Sequence, residues 1–405
     1  MKVLVINTGS SSVKFELFDM QSRSSLTEGA AERIGEKASL FSWRSARGDE
    51  TRSRSTRIAN HRAALELVRE ALSLADAIAN EAELGGVGHR VVHGGERFQA
   101  PTLIDEQVLQ AVREQAPLAP LHNPANLVGI EEAANLFPAT PQVAVFDTAF
   151  HHTMPPHAYR YALPDELYRR GGVRRYGFHG TSHQYVAKRA AEFLGRSPAE
   201  CNLIVLHLGN GASAAAIQGG RCIDTSMGMT PLEGLIMGTR CGDVDPGVLL
   251  HLARVEGLEA PELDQMVNRQ SGLKGICGQN DMREVLRRAQ DGDDDAALAA
   301  EMYASRIRKY IGAYCAALPS VDAIVFTAGI GENSAAIRHK ACQRLNHLGI
   351  VIDEQRNAER GSGPRAIHAD QSPVGILVIP TDEELEIAEQ TLRCVEDARD
   401  GSSSQ

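Results

Sequence analysis

The sequence predicts an α/β protein that uses one domain type twice. Short runs of β-branched and apolar residues alternate with amphipathic stretches at helical spacing, which argues for an α/β core with a mainly parallel sheet. A strand–turn–strand unit at the N-terminus is echoed in the middle of the chain. The 405 residues also exceed what one compact core of ordinary size needs.

Lys2–Ile6 and Val13–Phe18 read as strands joined by the turn Asn7-Thr8-Gly9-Ser10-Ser11-Ser12. An amphipathic helix is expected over Asn60–Leu84, with Leu65, Val68, Leu72, Ala75 and Ile78 on one face. Gly86–Val92 and Gln142–Phe146 read as strands that end in polar residues. The pattern then restarts: strand Leu203–Leu208, turn Gly209-Asn210-Gly211, strand Ala212–Ile217. Asp245 before Pro246 marks a helix start, with Gly257 past its end. Asn333 or Ser334 is expected to cap a helix closed by Gly349, after the strand Ala323–Thr327. Thr381 with Glu384 reads as a capping box for the last helix, which follows the strand Val374–Ile379. The expected domains are residues 1–150 and 151–381. The helix at about 382–398 should pack back on the first domain, and residues 399–405 should form a disordered tail.

Bulk composition narrows the function classes. With 43% hydrophobic and 23% charged residues the chain is an ordinary globular protein. Its net charge of −10 repels nucleic acid and anionic membrane. The local run Arg44, Arg47, Arg52, Arg54 and Arg57 reads as a solvated hairpin or loop rather than an RNA-binding patch. Seven scattered Cys without a CxxC argue against a disulfide framework or thiolate zinc site and for a reducing compartment. No apolar run is long enough to span a bilayer, and Val3–Ile6 is too short for a signal peptide, so a soluble cytoplasmic protein is expected.

Neither GxxxxGK[ST] nor GxGxxG occurs, so phosphate contacts need another construction. Gly and small hydroxyl residues at the turns Asn7–Lys14 and His207–Gly211 could present amides to an anion. Each alone reads more readily as a plain hairpin; their repetition raises the functional reading. Gly329-Ile330-Gly331-Glu332-Asn333, between a strand and a helix, suits a nucleotide at a helix N-terminus. Arg90, His122, His179 and Arg240 are each bracketed by Gly or Pro, in loops where α/β proteins place their sites. Asp147 ends a strand. Glu383 opens the last helix, where a carboxylate could simply favour the helix dipole.

At this point the motifs spell a family. INTGSSSVKF, GHRVVHGGE, PLHNPAN, VFDTAFH, YGFHGTSH, HLGNGAS, TSMGMTPLEG, MGTRCGDVDPG, TAGIGEN and IPTDEELEIA run in order along nearly the whole chain. The sequence resembles the acetate kinases. The resemblance implies a duplicated ribonuclease H-like fold of the actin, hexokinase and sugar-kinase type, with an interdomain active-site cleft, and a homodimer. It implies ATP and ADP as substrates, acetate as acceptor, and Mg²⁺, or Mn²⁺ in its place. By the same resemblance Asn7 and Glu383 would hold the metal. Lys14 would reach the phosphates, and His207, Leu208, Gly209, Asn210 and Gly211 would cradle them. Asp281, Met282 and Arg283, with Gly329, Ile330, Gly331, Glu332 and Asn333, would contact the nucleotide. Arg90 would bind the carboxylate, His179 and Arg240 would stabilise the transition state, and His122 would lie nearby. Asp147 is an acid/base group in such families. Val92, Leu121, Phe178 and Pro231 would form the methyl pocket.

The chemistry fits those roles with one reservation. A carboxylate nucleophile is already ionised at neutral pH and needs no base, so catalysis must come from positioning and charge neutralisation. Asp147 therefore makes more sense orienting an Arg or His. Val92, two residues past Arg90 on the same strand, should share its face and limit the alkyl end. Propionate kinase is the nearest rival. A hydroxyl kinase would need a sugar-binding polar set in place of Arg90 and Val92, and an actin-like clamp would need no acceptor pocket.

Overall fold

The computed structural model describes residues 1–46, 48, 51–119 and 122–402. Arg47, Leu121 and the last three residues of the tail, all singled out above, lie outside them. The chain divides into two compact units, Met1–Ala149 together with the segment from Asp382 onward, and Phe150–Thr381.

The first unit holds an eight-stranded sheet: β1 (Lys2–Gly9), β2 (Ser12–Asp19), β3 (Ser24–Glu32), β4 (Ser39–Ser45), β5 (Arg52–Thr56), β6 (Leu84–Val91), β7 (Thr102–Leu103) and β8 (Gln142–Phe146), in the order β5-β4-β3-β2-β1-β6-β8-β7. The expectation of a mainly parallel sheet needs correction. Only β1–β6 and β6–β8 are parallel; β1 to β5 form an antiparallel meander. Short Gly/Ser turns permit hairpins, whereas parallel neighbours need a helical crossover. Arg44, Arg52 and Arg54 lie exposed on the outer hairpin of this meander, where Arg44 bonds Glu28 and Arg52 lies over the Trp43 ring.

Alternation along β1 puts Leu4 and Ile6 against the helix His61–Leu74, and Val3 and Val5 against the last helix through Ile387, Ala388 and Val395. Gly88 in β6 makes that second contact possible. A Cβ there would come within 2.9 Å of the Ile387 methyl and still closer to Thr391. The last helix thus packs on β6 at a distance only glycine allows.

The second unit carries β9 (Asn202–Leu208), β10 (Ala212–Gln218), β11 (Arg221–Thr225), β12 (Ala323–Thr327), β13 (Arg365–Ala366) and β14 (Gly375–Val378), in the order β11-β10-β9-β12-β14-β13. The β1 and β9 strands play equivalent parts. Each pairs antiparallel with the next strand in sequence and parallel with a strand reached through helices, and that strand pairs parallel with another. The duplication expected from two short echoes is therefore one ribonuclease H-like strand order, used twice.

Several local expectations shift. The β1 and β2 strands close to the two-residue turn Ser10-Ser11, and Asn7 and Lys14 are cross-strand partners in the ladder rather than turn residues. The first helix stops at Leu74, because Asp76 adopts a left-handed φ of 53°; Ala75 and Ile78 remain buried beyond its end. The β6 strand ends at Val91, so Val92 is not on the strand with Arg90. Ser334 caps a helix that ends at Cys342, and Gly349 closes a separate 3₁₀ turn, Asn346–Leu348. Gly329–Asn333 is not an open loop but most of a short helix, Ala328–Asn333. The last helix runs Glu383–Ser402, past the expected end. Its start is capped by Asp382, which accepts from the Leu385 amide at 2.9 Å, and not by Thr381, whose hydroxyl meets Ser182. The cap at Asp245 before Pro246 is as read.

Candidate active site

In the first unit, adjacent parallel strands bring Arg90 (β6) beside Asp147, the residue after β8. The guanidinium donates through Nε to Oδ1 at 3.0 Å and through Nη2 to Oδ2 at 2.8 Å, a bidentate pair that leaves the Nη1 side out of it. Glu383 lies 3.6 Å from Nη2. Asp147 is 2% exposed, and burial raises its carboxyl pKa against the opposing pull of Arg90. Burial also lowers that of Arg90, but Asp147 and Glu383 outweigh it and the net direction is up. Both Asp147 oxygens thus accept from the Arg90 guanidinium.

Asn7 is half-buried opposite the exposed Lys14. The segment after β6 is fixed by the helix Asn123–Leu136. The Val92 amide donates to Asn126 Oδ1 and the His93 amide to Asn123 Oδ1, both at 3.2 Å, and Asn126 Nδ2 donates to the Thr8 carbonyl at 2.8 Å. The Arg90 and Asn7 strand ends are thus locked through one helix. His122 is exposed at that helix's N-terminus. Val92 is half-buried.

In the second unit, β9 delivers His207 and Leu208 into the turn Gly209–Gly211. The His207 Nδ1 bonds Ser182 Oγ at 2.8 Å, and its ring stacks on His179 with centroids 4.2 Å apart. His179 precedes the helix Gly180–Phe193 at φ 57°, a left-handed conformation that non-glycine residues hold only under local constraint. Gly177 supplies part of that constraint. At φ 78° its Cα lies so near the His151 ring that a Cβ would come within 2.7 Å of it. His151 and His183, both buried, have pKa values pushed down by burial, to about 4 for His151, so they are neutral scaffolding.

Arg240 approaches the same turn. Its loop is stitched down by the Gly238 amide on the Asn210 carbonyl and the Thr239 hydroxyl on the Asn268 carbonyl, each at 3.0 Å. A Cβ on Gly211 would lie 2.9 Å from Arg240 Nη2 and 3.1 Å from His179 Nε2, so a guanidinium and an imidazole converge on a position only glycine can occupy. Among the described residues no carboxylate pairs with Arg240; its guanidinium donates to the Pro231 carbonyl, and burial lowers its pKa. A half-buried cation without a counter-ion is stabilised by an anionic ligand. Phe178 is 2% exposed and Pro231 is half-buried.

Beside this turn opens a cavity of about 1050 Å³. Gly209, Asn210, Asp281, Met282, Arg283, Gly329, Ile330, Glu332 and Asn333 line it. The turn and both nucleotide segments expected from the sequence are therefore brought together, Gly331 being buried behind the wall.

Comparison with known proteins decides the family. The acetokinase family model matches residues 2–389. The chain belongs to the acetokinase family. It is 54% identical over 398 residues to the acetate kinase of Streptomyces griseus, covering 98% of this chain and 97% of that one. It is similar to the Porphyromonas gingivalis acetate kinase structure, with TM-score 0.92, 45% identity and coverage of 97% and 99%. It is also similar to a propionate kinase from Francisella tularensis, with TM-score 0.91, 42% identity and the same coverage. Its activity is that of an acetokinase, phosphoryl transfer from ATP to a carboxylate, with acetate as acceptor.

Some acetokinase site features were not visible in the sequence reading. Ser182, which bonds His207, lies inside a quoted motif, yet nothing in spacing tells which neighbour its hydroxyl meets. Leu286 and Ser334 complete the cavity wall without any Gly-rich or cationic signal of their own, whereas Arg360–Ser362, which also line it, open the run Arg360-Gly361-Ser362-Gly363, a Gly-rich and cationic stretch that could have pointed to the site.

Proposed function

We propose that the second unit binds ATP in the 1050 Å³ cavity with its phosphates on the His207–Gly211 turn, and that Arg240 and His179 neutralise charge on the transferring phosphoryl group. The observation that carries this reading is Arg240 standing against Gly211 without a carboxylate partner among the described residues. Arg90, held by Asp147, takes the acetate carboxylate through the edge left out of that pair. One acetate oxygen forms the new bond to the γ-phosphorus, the bond to the bridging oxygen breaks, and ADP leaves with that electron pair. No proton moves, so Asp147 has no base role to play. The step reverses with acetyl phosphate and ADP.

Asn7 and Glu383 offer an amide oxygen and a carboxylate, hard donors that suit Mg²⁺ or Mn²⁺ held chiefly by phosphates and water. Such an ion would offset charge on the β- and γ-phosphates. Glu383→Gln and Asn7→Ala should each raise the Mg²⁺ concentration for half-activity and shrink the melting-temperature gain given by ADP with Mg²⁺. Unchanged midpoints in both variants would return Glu383 to the helix dipole.

The acceptor test is hydroxylamine trapping of acyl phosphate with acetate, propionate and butyrate side by side. Acetate should lead, with propionate accepted more weakly, since one methylene is worth about 1–3 kcal/mol. Val92→Ala should then shift the propionate-to-acetate ratio of kcat/KM by about tenfold. A fixed ratio with a lowered Tm would make Val92 a packing residue only.

The protein acts in the cytoplasm as a homodimer. No helix among the described residues is long and apolar enough to cross a membrane. The helix Pro246–Val255 buries none of its residues and exposes Val248 and Val255 on one side and Leu250 on the other, apolar surface that a second copy would cover. Light scattering should give twice the chain mass, and Leu250→Lys should lower it towards the monomer.

A further inference from the structure

Arg338 is among the largest fully buried side chains in the protein, 1% exposed, on the helix Ala335–Cys342. Its partners are all neutral. Nη1 donates to the carbonyls of Gly331 at 2.9 Å and Glu332 at 2.8 Å. Nε donates to Asn357 Oδ1 and Nη2 to the Asn357 carbonyl, both at 2.8 Å. Asn357 is itself buried and anchored, its Nδ2 donating to the Ala335 carbonyl at 3.0 Å. A second guanidinium, Arg365, also donates to the Glu332 carbonyl, at 3.1 Å. Among the described residues no carboxylate pairs with Arg338. Burial, then the nearby Arg365, lowers its pKa to about 10, so it stays charged at neutral pH.

A buried cation without a counter-ion is costly unless something compensates it. Two carbonyls near the C-terminal end of the short helix Ala328–Asn333 compensate in part, since helix carbonyl ends attract positive charge. That helix begins at Ala328 with φ 62°, a left-handed start for a residue with a Cβ, so it needs holding. Two hydrogen bonds from one planar fork do that, to the Gly331 and Glu332 carbonyls, while two more to Asn357 fix the fork itself; the helix so gripped forms part of the wall of the large cavity, which Ile330 and Glu332 line.

We propose that Arg338, oriented by Asn357, is a positioning residue for the nucleotide. Its fork fixes the Gly331–Glu332 wall, and its unneutralised charge behind that wall favours the polyphosphate anion. The proposal rests on the reading of this cavity as the nucleotide site.

Two variants separate geometry from charge. Arg338→Lys keeps the charge and loses the fork. Asn357→Asp keeps an acceptor for the fork and neutralises the charge. Each should raise KM for ATP and weaken ADP binding by calorimetry about tenfold, the worth of one charge-assisted contact. KM for acetate and kcat should stay within about twofold of wild type, a split that general loss of structure would not produce. If Arg338→Lys does not fold, Asn357→Asp and Asn357→Ala carry the test. ATP and ADP parameters unchanged in folded variants would overturn the proposal, as would a parallel fall in every kinetic parameter. Ile330→Trp, which fills the cavity, guards the underlying reading. If it abolishes ADP binding while the Arg338 and Asn357 variants bind normally, only the positioning role fails. If it leaves ADP binding intact, the cavity is not the nucleotide site and both fall.

Discussion

Arg240→Ala should lower kcat by about 10²–10³, the usual loss on deleting one preorganised charge-stabilising group. The fold should survive. The guanidinium has no carboxylate partner among the described residues, so truncation orphans no buried charge, and it removes a cation that burial already disfavours. Its loop is held independently by backbone bonds to Asn210 and by the Thr239 hydroxyl. The effect should therefore appear in turnover with little change in Tm. Arg240→Lys should recover only part of the rate, because a point charge cannot reproduce a planar fork on phosphoryl oxygens. Turnover within about threefold of wild type in Arg240→Ala would sink the role given to it.

Arg90→Ala should be the more damaging change, because it fails in two ways. It removes the group proposed to hold the acetate carboxylate, and it leaves Asp147 buried without its bidentate partner. Breaking a buried pair from one side typically costs about 3–5 kcal/mol. Loss of activity in this variant alone would therefore be ambiguous. The double variant Arg90→Leu with Asp147→Asn resolves it, since it removes both charges together. Stability should return towards wild type while acetate turnover stays depressed by about 10² or more. Asp147→Asn alone should keep a measurable rate, because it loosens Arg90 without removing it. A collapse of that variant's rate together with loss of an acid limb that wild type shows in its pH profile would instead restore Asp147 as a proton-transfer group.

Much of the site was legible because it is written in short contiguous strings. A strand ending in Arg90, a Gly-bracketed His179 and Arg240, and the turn after His207 each read locally, since loops at strand ends carry chemistry and glycine marks close approach. The duplication was legible for the same reason, as the strand–turn–strand echo is one contiguous stretch each time, Lys2–Asp19 and Asn202–Gln218. Errors clustered where a boundary depends on partners distant in sequence. The helix after Asn60 was read too long because Ala75 and Ile78 keep the apolar spacing past the turn at Asp76. Thr381 looked like a cap, but its hydroxyl is engaged by Ser182, and Asp382 caps instead.

Sequence alone determined the chemistry available to this protein: no P-loop, two arginines close to glycines, paired glycine turns and a family motif order that names the reaction. Local propensity and side-chain type suffice for that, because both travel with the residue. The tertiary structure alone decided which charges are paired and which stand open. Arg90 and Asp147 neutralise each other across two neighbouring strands, while Arg240 meets no carboxylate among the described residues and Arg338 lies buried among carbonyls. Charge pairing is a matter of distance and desolvation between residues far apart in sequence, and no pattern along the chain encodes it.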